Sequence, residues 1–206
     1  MPTTTMGGVA SNSFADLERQ VVSEVSGVSA ALFTQTLHLA AAEFMRISRA
    51  WREDLAVGSF SSLGTYKFDL VSATVGVQAR ANPVLWVKID GVELPCGPYG
   101  WRINQPTLGT GNQQIEFLDP YDSMESGTIT ARVVWVPLFD VANEPAWCYA
   151  EFGGHFATLA KGMLMKMPKK SWTNIELGMQ MEREAKGAAM RVRSEMDRNN
   201  QRPVVL

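Results

Sequence analysis

Apolar residues in the first quarter of the chain repeat at helical spacing. Leu17, Val21 and Val25 recur every four residues and predict a short helix, which Gly27 interrupts. A longer stripe in steps of three and four predicts a second helix, with the members Phe33, Leu37, Ala40, Phe44, Ile47, Trp51 and Leu55. The Ser- and Gly-rich residues 58–64 are expected to end it.

Charged residues fall mostly off this second stripe. They are predicted to form a face that is solvated or offered to a partner, and they are Glu43, Arg46, Arg49, Arg52 and Glu53.

The middle of the chain changes to the alternating pattern of β-strands. Residues 66–70 alternate apolar with charged side chains, and residues 84–89 form a compact β-type run. The following Asp90-Gly91 predicts a type I′ hairpin, because Gly tolerates positive φ. Other segments here are two predicted strands, 113–118 and 128–136, and a long loop, 96–112. About five to eight strands with no helix among them indicate an antiparallel sandwich or small barrel.

Helical spacing returns in the last third of the chain. Phe152, Phe156 and Leu159 share a face of a helix that Pro168 is expected to end. Thr173 and Glu176 then have the spacing of a capping box, which predicts the start of a final helix.

Small residues in these two helices predict a close contact between backbones. Gly178, Ala185 and Ala189 form a small-residue stripe on the final helix. Gly153 and Gly154 lie inside the preceding helix, where each Gly costs roughly 1 kcal/mol relative to Ala. We therefore expect another backbone to pass close to the Gly pair.

These patterns predict an α+β fold. A helical bundle is formed by the N- and C-terminal helices, and an antiparallel β-sandwich or barrel module is inserted between them. The expected divisions are a flexible N-terminal arm, 1–12; a helical domain, 13–63 and 138–200; the inserted β module, 64–137; and a C-terminal tail, 201–206.

Composition and charge narrow the class of protein. A hydrophobic share of 46% and a charged share of 19% suit a packed core and argue against global disorder. The net charge of −2 argues against nucleic-acid binding by bulk positive charge. That total hides an asymmetry, since residues 161–206 hold 10 basic and 5 acidic side chains, net +5, and the remainder is net −7. Six Trp and eleven Met form an apolar excess that we expect to serve partly in contacts with neighbouring subunits.

Candidate chemistry is sparse. His38 and His155 have no carboxylate or Cys at a ligand spacing, and we interpret them as packed or interface residues. Cys96 and Cys148 lack zinc-ligand spacing and are expected to be reduced and buried. Four lysines near the end of the third predicted helix suit a solvated face better than a phosphate site: Lys161, Lys166, Lys169 and Lys170. We expect no enzymatic activity, no catalytic residue and no cofactor or metal.

Two stretches carry a family likeness. Residues 42–51 form a helix segment with Glu-Phe, a later Arg and then Trp, and residues 159–174 form a helix, a Pro-Lys-containing turn with Trp, and the start of a helix. In this order they resemble the head-to-tail adaptor (connector or neck) proteins of tailed bacteriophages. The residues that carry the likeness most clearly are Phe44, Trp51, Pro168 and Trp172.

The resemblance implies a structural virion protein. It implies a homo-oligomeric, twelve-fold ring that connects the portal protein to a downstream tail or neck protein, with a channel for non-specific passage of double-stranded DNA. The ring would lie at the neck/tail junction of the virion after assembly in the host cytoplasm, without a membrane partner. Portal binding is implied for the tail residues Arg202, Pro203, Val204, Val205 and Leu206.

Two other functions remain open from the sequence. A carbohydrate-binding β module is suggested by Trp86, Tyr99 and Trp101, which we expect to be exposed. A DNA-binding module would instead use the basic C-terminal segment.

Overall fold

The computed structural model describes residues 14–60, 66–71, 79–97, 100–104, 113–117, 126–137 and 146–200. Its helices are α1 (Phe14–Glu24), α2 (Ala30–Ser48), α3 (Ala146–Met165) and α4 (Ile175–Asn200). Its strands are β1 (Arg52–Phe60), β2 (Tyr66–Asp69), β3 (Ala79–Ile89), β4 (Val92–Glu93), β5 (Trp101–Asn104), β6 (Gln114–Phe117) and β7 (Gly127–Pro137).

The strands form two antiparallel sheets, which confirms the predicted α+β class. One sheet has the order β1-β7-β3-β4 and the other the order β2-β6-β5. The predicted hairpin joins β3 to β4, with positive φ at Asp90 (47°) and Gly91 (85°) as a type I′ turn requires. Alternate residues of β7 are fully buried, as their period of two predicts: Ile129, Ala131, Val133 and Trp135.

The predicted continuation of α2 to Leu55 is wrong. The helix ends at Ser48, where Arg49 takes a left-handed conformation (φ 52°, ψ 33°) and its N–H bonds to the Met45 carbonyl at 2.9 Å. From Arg52 the chain is strand β1, which pairs with β7. The sheet therefore begins before the boundary expected at residue 64.

Gly58 lies inside β1 instead of ending a helix. The register of β1 against β7 shifts between Ala56 and Gly58. A Cβ at Gly58 would lie 2.5 Å from the ring of Phe68, a residue of the other sheet. The missing side chain thus allows the two sheets to touch, a close-approach role that is common for Gly in a strand.

The loop predicted over residues 96–112 contains a strand. Residues 101–104 form β5, which pairs with β6. The side chain of Trp101 is buried, and its Nε1 donates to the Leu94 carbonyl at 3.2 Å. Four residues are too few for an alternating pattern to be recognised, so the sequence shows only the Gly and Pro that precede this strand.

The close contact between helices that the α4 small-residue stripe predicts occurs at Gly178. Gly162 of α3 and Gly178 of α4 face each other, and a Cβ on either one would lie 2.8 Å from the carbonyl oxygen of the other. Gly178 is buried with Ala185 and Ala189, which confirms the predicted stripe. No atom lies within 4 Å of a Cβ built on Gly154, so the approach expected at this member of the Gly153-Gly154 pair is wrong.

The capping box predicted for α4 is also replaced by another arrangement. The Asn174 side chain caps the helix, accepting from the Leu177 N–H at 3.1 Å. The Thr173 hydroxyl turns back and donates to the Met167 carbonyl at 2.6 Å. Thr173 therefore holds the α3–α4 turn instead of the helix end.

Alanine at two of these positions should act in opposite directions. Gly178→Ala places a methyl group against the Gly162 carbonyl and should lower the free energy of unfolding by about 1–3 kcal/mol. Gly154→Ala meets open space inside a helix and should raise it by about 0.5–1 kcal/mol. Urea unfolding of both variants tests this; equal effects would show that the α3–α4 contact is loose.

Candidate functional site

The turn between α3 and α4 is bound to the turn between α1 and α2. Trp172 donates its Nε1 proton to the Leu164 carbonyl at 3.2 Å. Its ring also lies over Gly27, where a Cβ would be 3.5 Å from the ring and φ is 90°. Pro168 is exposed in the same turn, after the end of α3. These two motif residues therefore shape and fasten one end of the helical bundle.

Phe44 lies in an aromatic cluster at the centre of the helices. It is fully buried, and its ring centroid is 5.3 Å from that of Phe152 and 5.5 Å from that of Phe156. The His155 ring stacks on it at 5.4 Å with an interplanar angle of 9°. Phe44 is thus a core residue, unavailable to a partner.

Trp51 joins the helices to the first sheet. Its ring centroid is 6.5 Å from that of the fully buried Trp135, and its carbonyl accepts from the Trp135 N–H at 2.8 Å. Its Nε1 donates to Glu53 at 3.0 Å. The Trp that ends the family-like helix motif therefore stands at the beginning of the sheet.

Arg52, predicted to lie on a solvated or partner face, is instead a structural link. Its Nε donates to the Arg49 carbonyl at 2.8 Å, and its Nη2 contacts Asp197 at 2.7 Å. Its Nη1 donates to the Met196 carbonyl at 3.3 Å, and only 10% of the side chain is exposed. Local sequence gives no signal for this link, because its partner is 145 residues away.

The outer side of α4 carries an exposed apolar surface that sequence reasoning missed. The α4 apolar face consists of Ile175, Met179 and Met190, which are 54%, 49% and 55% exposed. Steps of four and then eleven residues place them within about 60° of one another around the helix, beside the buried Gly178 stripe, with Glu182 and Lys186 on the same side between Met179 and Met190. An open groove of about 460 Å³ lies beside Met179 and is lined by Glu176, Gln180 and Arg183. The signal for this face was present as a second apolar stripe on the same helix.

Most of the Trp side chains are buried or half-buried within the chain. Trp51, Trp101 and Trp135 are buried, whereas Trp147 at the start of α3 is 40% exposed. The apolar groups offered to other molecules are therefore mainly Met and aliphatic side chains.

Two of the four clustered lysines are held in ion pairs. Lys161 is 7% exposed in its side chain and contacts Glu24 at 2.6 Å, while Lys166 contacts Glu182 at 2.5 Å. Lys169 and Lys170 are exposed. The group thus does not form a continuous phosphate-binding surface.

His155 is the only His with a resolved change of its pKa in the described part of the chain. Burial lowers the pKa of this imidazole, the positive charge of Arg191 lowers it further, and Glu184 opposes both. His38 is buried in α2. Cys148 is also buried, as expected, whereas Cys96 is exposed, so the expected burial of Cys96 is wrong. Among the described residues, no group of three His, Cys, Asp or Glu side chains is placed to hold a metal ion.

The remaining predicted site residues cannot be placed. Residues 202–206, for which portal binding is expected, the arm 1–12 and Tyr99 lie outside the described residues. Within the described part, none of the helices is both long and apolar enough for a membrane span.

Comparison with protein-family models and with curated proteins found no match to this chain.

His155 should make stability depend on pH. Because its pKa is lowered in the folded protein, the unfolded chain takes up the proton first as pH falls through about 6.5. The contribution is therefore complete above that pH and is lost below it. Glu43 and Asp54 ionise at lower pH, since hydrogen bonds from Arg46 and Arg132 lower their pKa values.

The test is urea unfolding between pH 7.5 and 5.5. The wild-type protein should lose more stability over this range than His155→Gln. Parallel profiles of the two proteins would contradict the assignment.

Proposed function

We propose that this chain is a structural virion protein, a head-to-tail adaptor subunit whose ring connects the portal to the tail or neck and encloses part of the DNA channel. The observation that carries the proposal is the α4 apolar face, which holds three of the eight large apolar side chains that are exposed among the described residues. Exposed apolar patches of this kind mark protein interfaces, and Met is enriched in them.

The order of the elements supports the same assignment. Helices from both ends of the chain pack together, and the two sheets are inserted between them in sequence. Trp51 and Trp135 fix the helices to the sheet. A ring subunit must transmit force between two partners, and a packed joint suits that task better than a flexible linker.

A ring also requires two different contact surfaces on each subunit. The α4 apolar face supplies one of them. Trp147 on α3 and Val22 on α1, which are 40% and 37% exposed, offer apolar contacts on other helices. Heterologous packing of unlike surfaces closes a ring, whereas a single self-complementary surface yields a dimer.

The positions of Trp101 and Trp86 do not support the carbohydrate-binding alternative. Trp101 is buried, so it cannot stack against a sugar. Trp86 is half-buried, and its ring already contacts Lys88 at 4.4 Å and Arg132 at 5.2 Å. Neither Trp offers an open aromatic platform.

Binding of DNA by a basic α4 also finds no support in the described residues. Arg193 lies 3.7 Å from Asp197, and Lys186 lies 3.9 Å from both Glu43 and Glu182. Acidic side chains therefore interrupt the positive charge along this helix. A continuous basic surface, which salt-dependent DNA binding needs, does not form there.

The double variant Met179→Glu/Met190→Glu tests the role of the α4 apolar face. Each buried Met contact is worth about 1.5–3 kcal/mol, and that loss would recur at every contact around a ring. We expect the wild-type protein to form rings in negative-stain images, alone or with the portal, and the variant to remain monomeric.

Val92→Glu is the matched control, because Val92 is 59% exposed on the β3–β4 hairpin. It adds one negative charge, as each Met substitution does, at a similarly exposed apolar site and should leave the rings intact. A wild-type protein that stays monomeric with and without the portal would contradict the proposed function, and rings of the double variant would remove the α4 face from the contact.

A further inference from the structure

The glycines inside α3 and α4 differ in what surrounds them. Gly162 and Gly178 lie against each other where the two helices touch, so neither position has room for a side chain. No atom lies within 4 Å of a Cβ built on Gly154, and the nearest atom to one on Gly187 is an Arg191 guanidinium nitrogen at 3.8 Å. Gly costs helix stability relative to Ala. Packing within the chain therefore does not explain Gly154 and Gly187.

The outer side of α3 carries an apolar side chain, a charge and a gap, in that order. Trp147 is 40% exposed, and its ring centroid lies 6.3 Å from that of Phe152. The exposed Glu151 follows four residues later and the gap at Gly154 three after that, so the three positions lie within about 60° around the helix. In the described chain, the Glu151 carboxylate has no ion pair or hydrogen bond.

The outer side of α4 carries the same three features in the same order, with the opposite charge. Met179 is 49% exposed, the exposed Arg183 follows four residues later, and Gly187 follows four after that. These positions lie within about 80° around the helix. Arg183 directs its Nε to the Met179 carbonyl at 3.4 Å and has no ion pair in the part of the chain that the structure describes.

Two helices with this order of features fit together when they run antiparallel. Each apolar side chain then meets a gap, and the opposite charges meet between them. Within one chain α3 and α4 are antiparallel, since a Cβ on Gly162 would lie 3.1 Å from Glu182 and one on Gly178 would lie 2.9 Å from Lys166. Neighbours in a twelve-fold ring differ by a rotation of about 30°. The α3 helix of one subunit therefore runs antiparallel to α4 of the next.

We propose that the outer side of α3 is the second contact surface of the ring and binds the outer side of α4 of the neighbouring subunit, with Glu151 paired to the neighbour's Arg183. Two unlike surfaces form the heterologous contact that a ring needs. Opposite charges in the middle of the contact fix its register, and like charges there would oppose assembly. This inference rests on the proposed function and specifies which surface receives α4.

The same register brings each large side chain to a gap. Met179 of the neighbouring subunit lies over Gly154, and Trp147 lies over the neighbouring subunit's Gly187. Trp and Met are enriched in protein interfaces, and Trp is frequent among the residues that dominate binding. The two glycines thus gain a role, because a side chain at either position would hold the helices apart.

Charge reversal in the full chain tests the pairing, with rings counted in negative-stain images, alone or with the portal. Glu151→Arg and Arg183→Glu each place like charges at every contact, which should weaken each contact by about tenfold or more and leave monomers. The double variant Glu151→Arg/Arg183→Glu restores opposite charges and should form rings. An equimolar mixture of the two single variants should also form rings, because unlike subunits can alternate.

Glu195→Arg is the matched control, because Glu195 is exposed on another side of α4, about 120° from Arg183. It should form rings as the wild-type protein does. Gly154→Gln tests the gap without a change of charge. Its side chain enters open space, so the urea midpoint should not fall, whereas ring formation should be lost.

Circular dichroism shows whether each variant folds, and the mixture decides should the double variant not fold. Rings of either single variant or of Gly154→Gln, or monomers in the mixture, would overturn the inference. If those rings form while Met179→Glu/Met190→Glu stays monomeric, the proposed function stands and only this pairing fails. A wild-type protein that stays monomeric with and without the portal would contradict both.

Discussion

The buried guanidinium of Arg52 fixes the helices relative to the sheets. It bonds to the end of α2 through the Arg49 carbonyl and to the last turns of α4 through Met196 and Asp197, while its own backbone begins β1. The Arg52 side chain is 10% exposed and Asp197 is 46% exposed, so this charge-assisted contact lies at the edge of the surface. Trp51, the preceding residue, packs its ring against Trp135 of β7 and so adds an apolar contact between the start of β1 and the sheet.

The parts of the fold that depend on local interactions could be predicted from the sequence. The parts that depend on contacts between residues far apart in the chain could not. The Asp90-Gly91 hairpin and the buried face of β7 follow from φ preferences and a period of two. The end of α2 was missed because Trp51 and Leu55 are four residues apart, a spacing that fits one helix face and one strand face equally. The pairing of Arg52 with Asp197 has no local signature at all.

The candidate site residues also divide into those that the sequence identifies and those that it does not. Motif likeness selected Phe44, Trp51 and Trp172, and the structure places all three in core or turn contacts that hold the chain together. The exposed apolar side chains of α4, Met179 and Met190, are not part of these motifs. The motif residues are therefore ones that stabilise the fold. Which residues can contact a partner depends instead on which side of each helix stays exposed after packing.

Hydrogen exchange of Arg52→Gln compared with the wild-type protein tests the joint most directly. The substitution removes the ion pair to Asp197, so amide protection should fall together in β1 and in the last turns of α4, while the β3–β4 hairpin keeps its protection. Unchanged protection in β1, with losses confined to α4, would contradict a link between the helices and the sheet through Arg52.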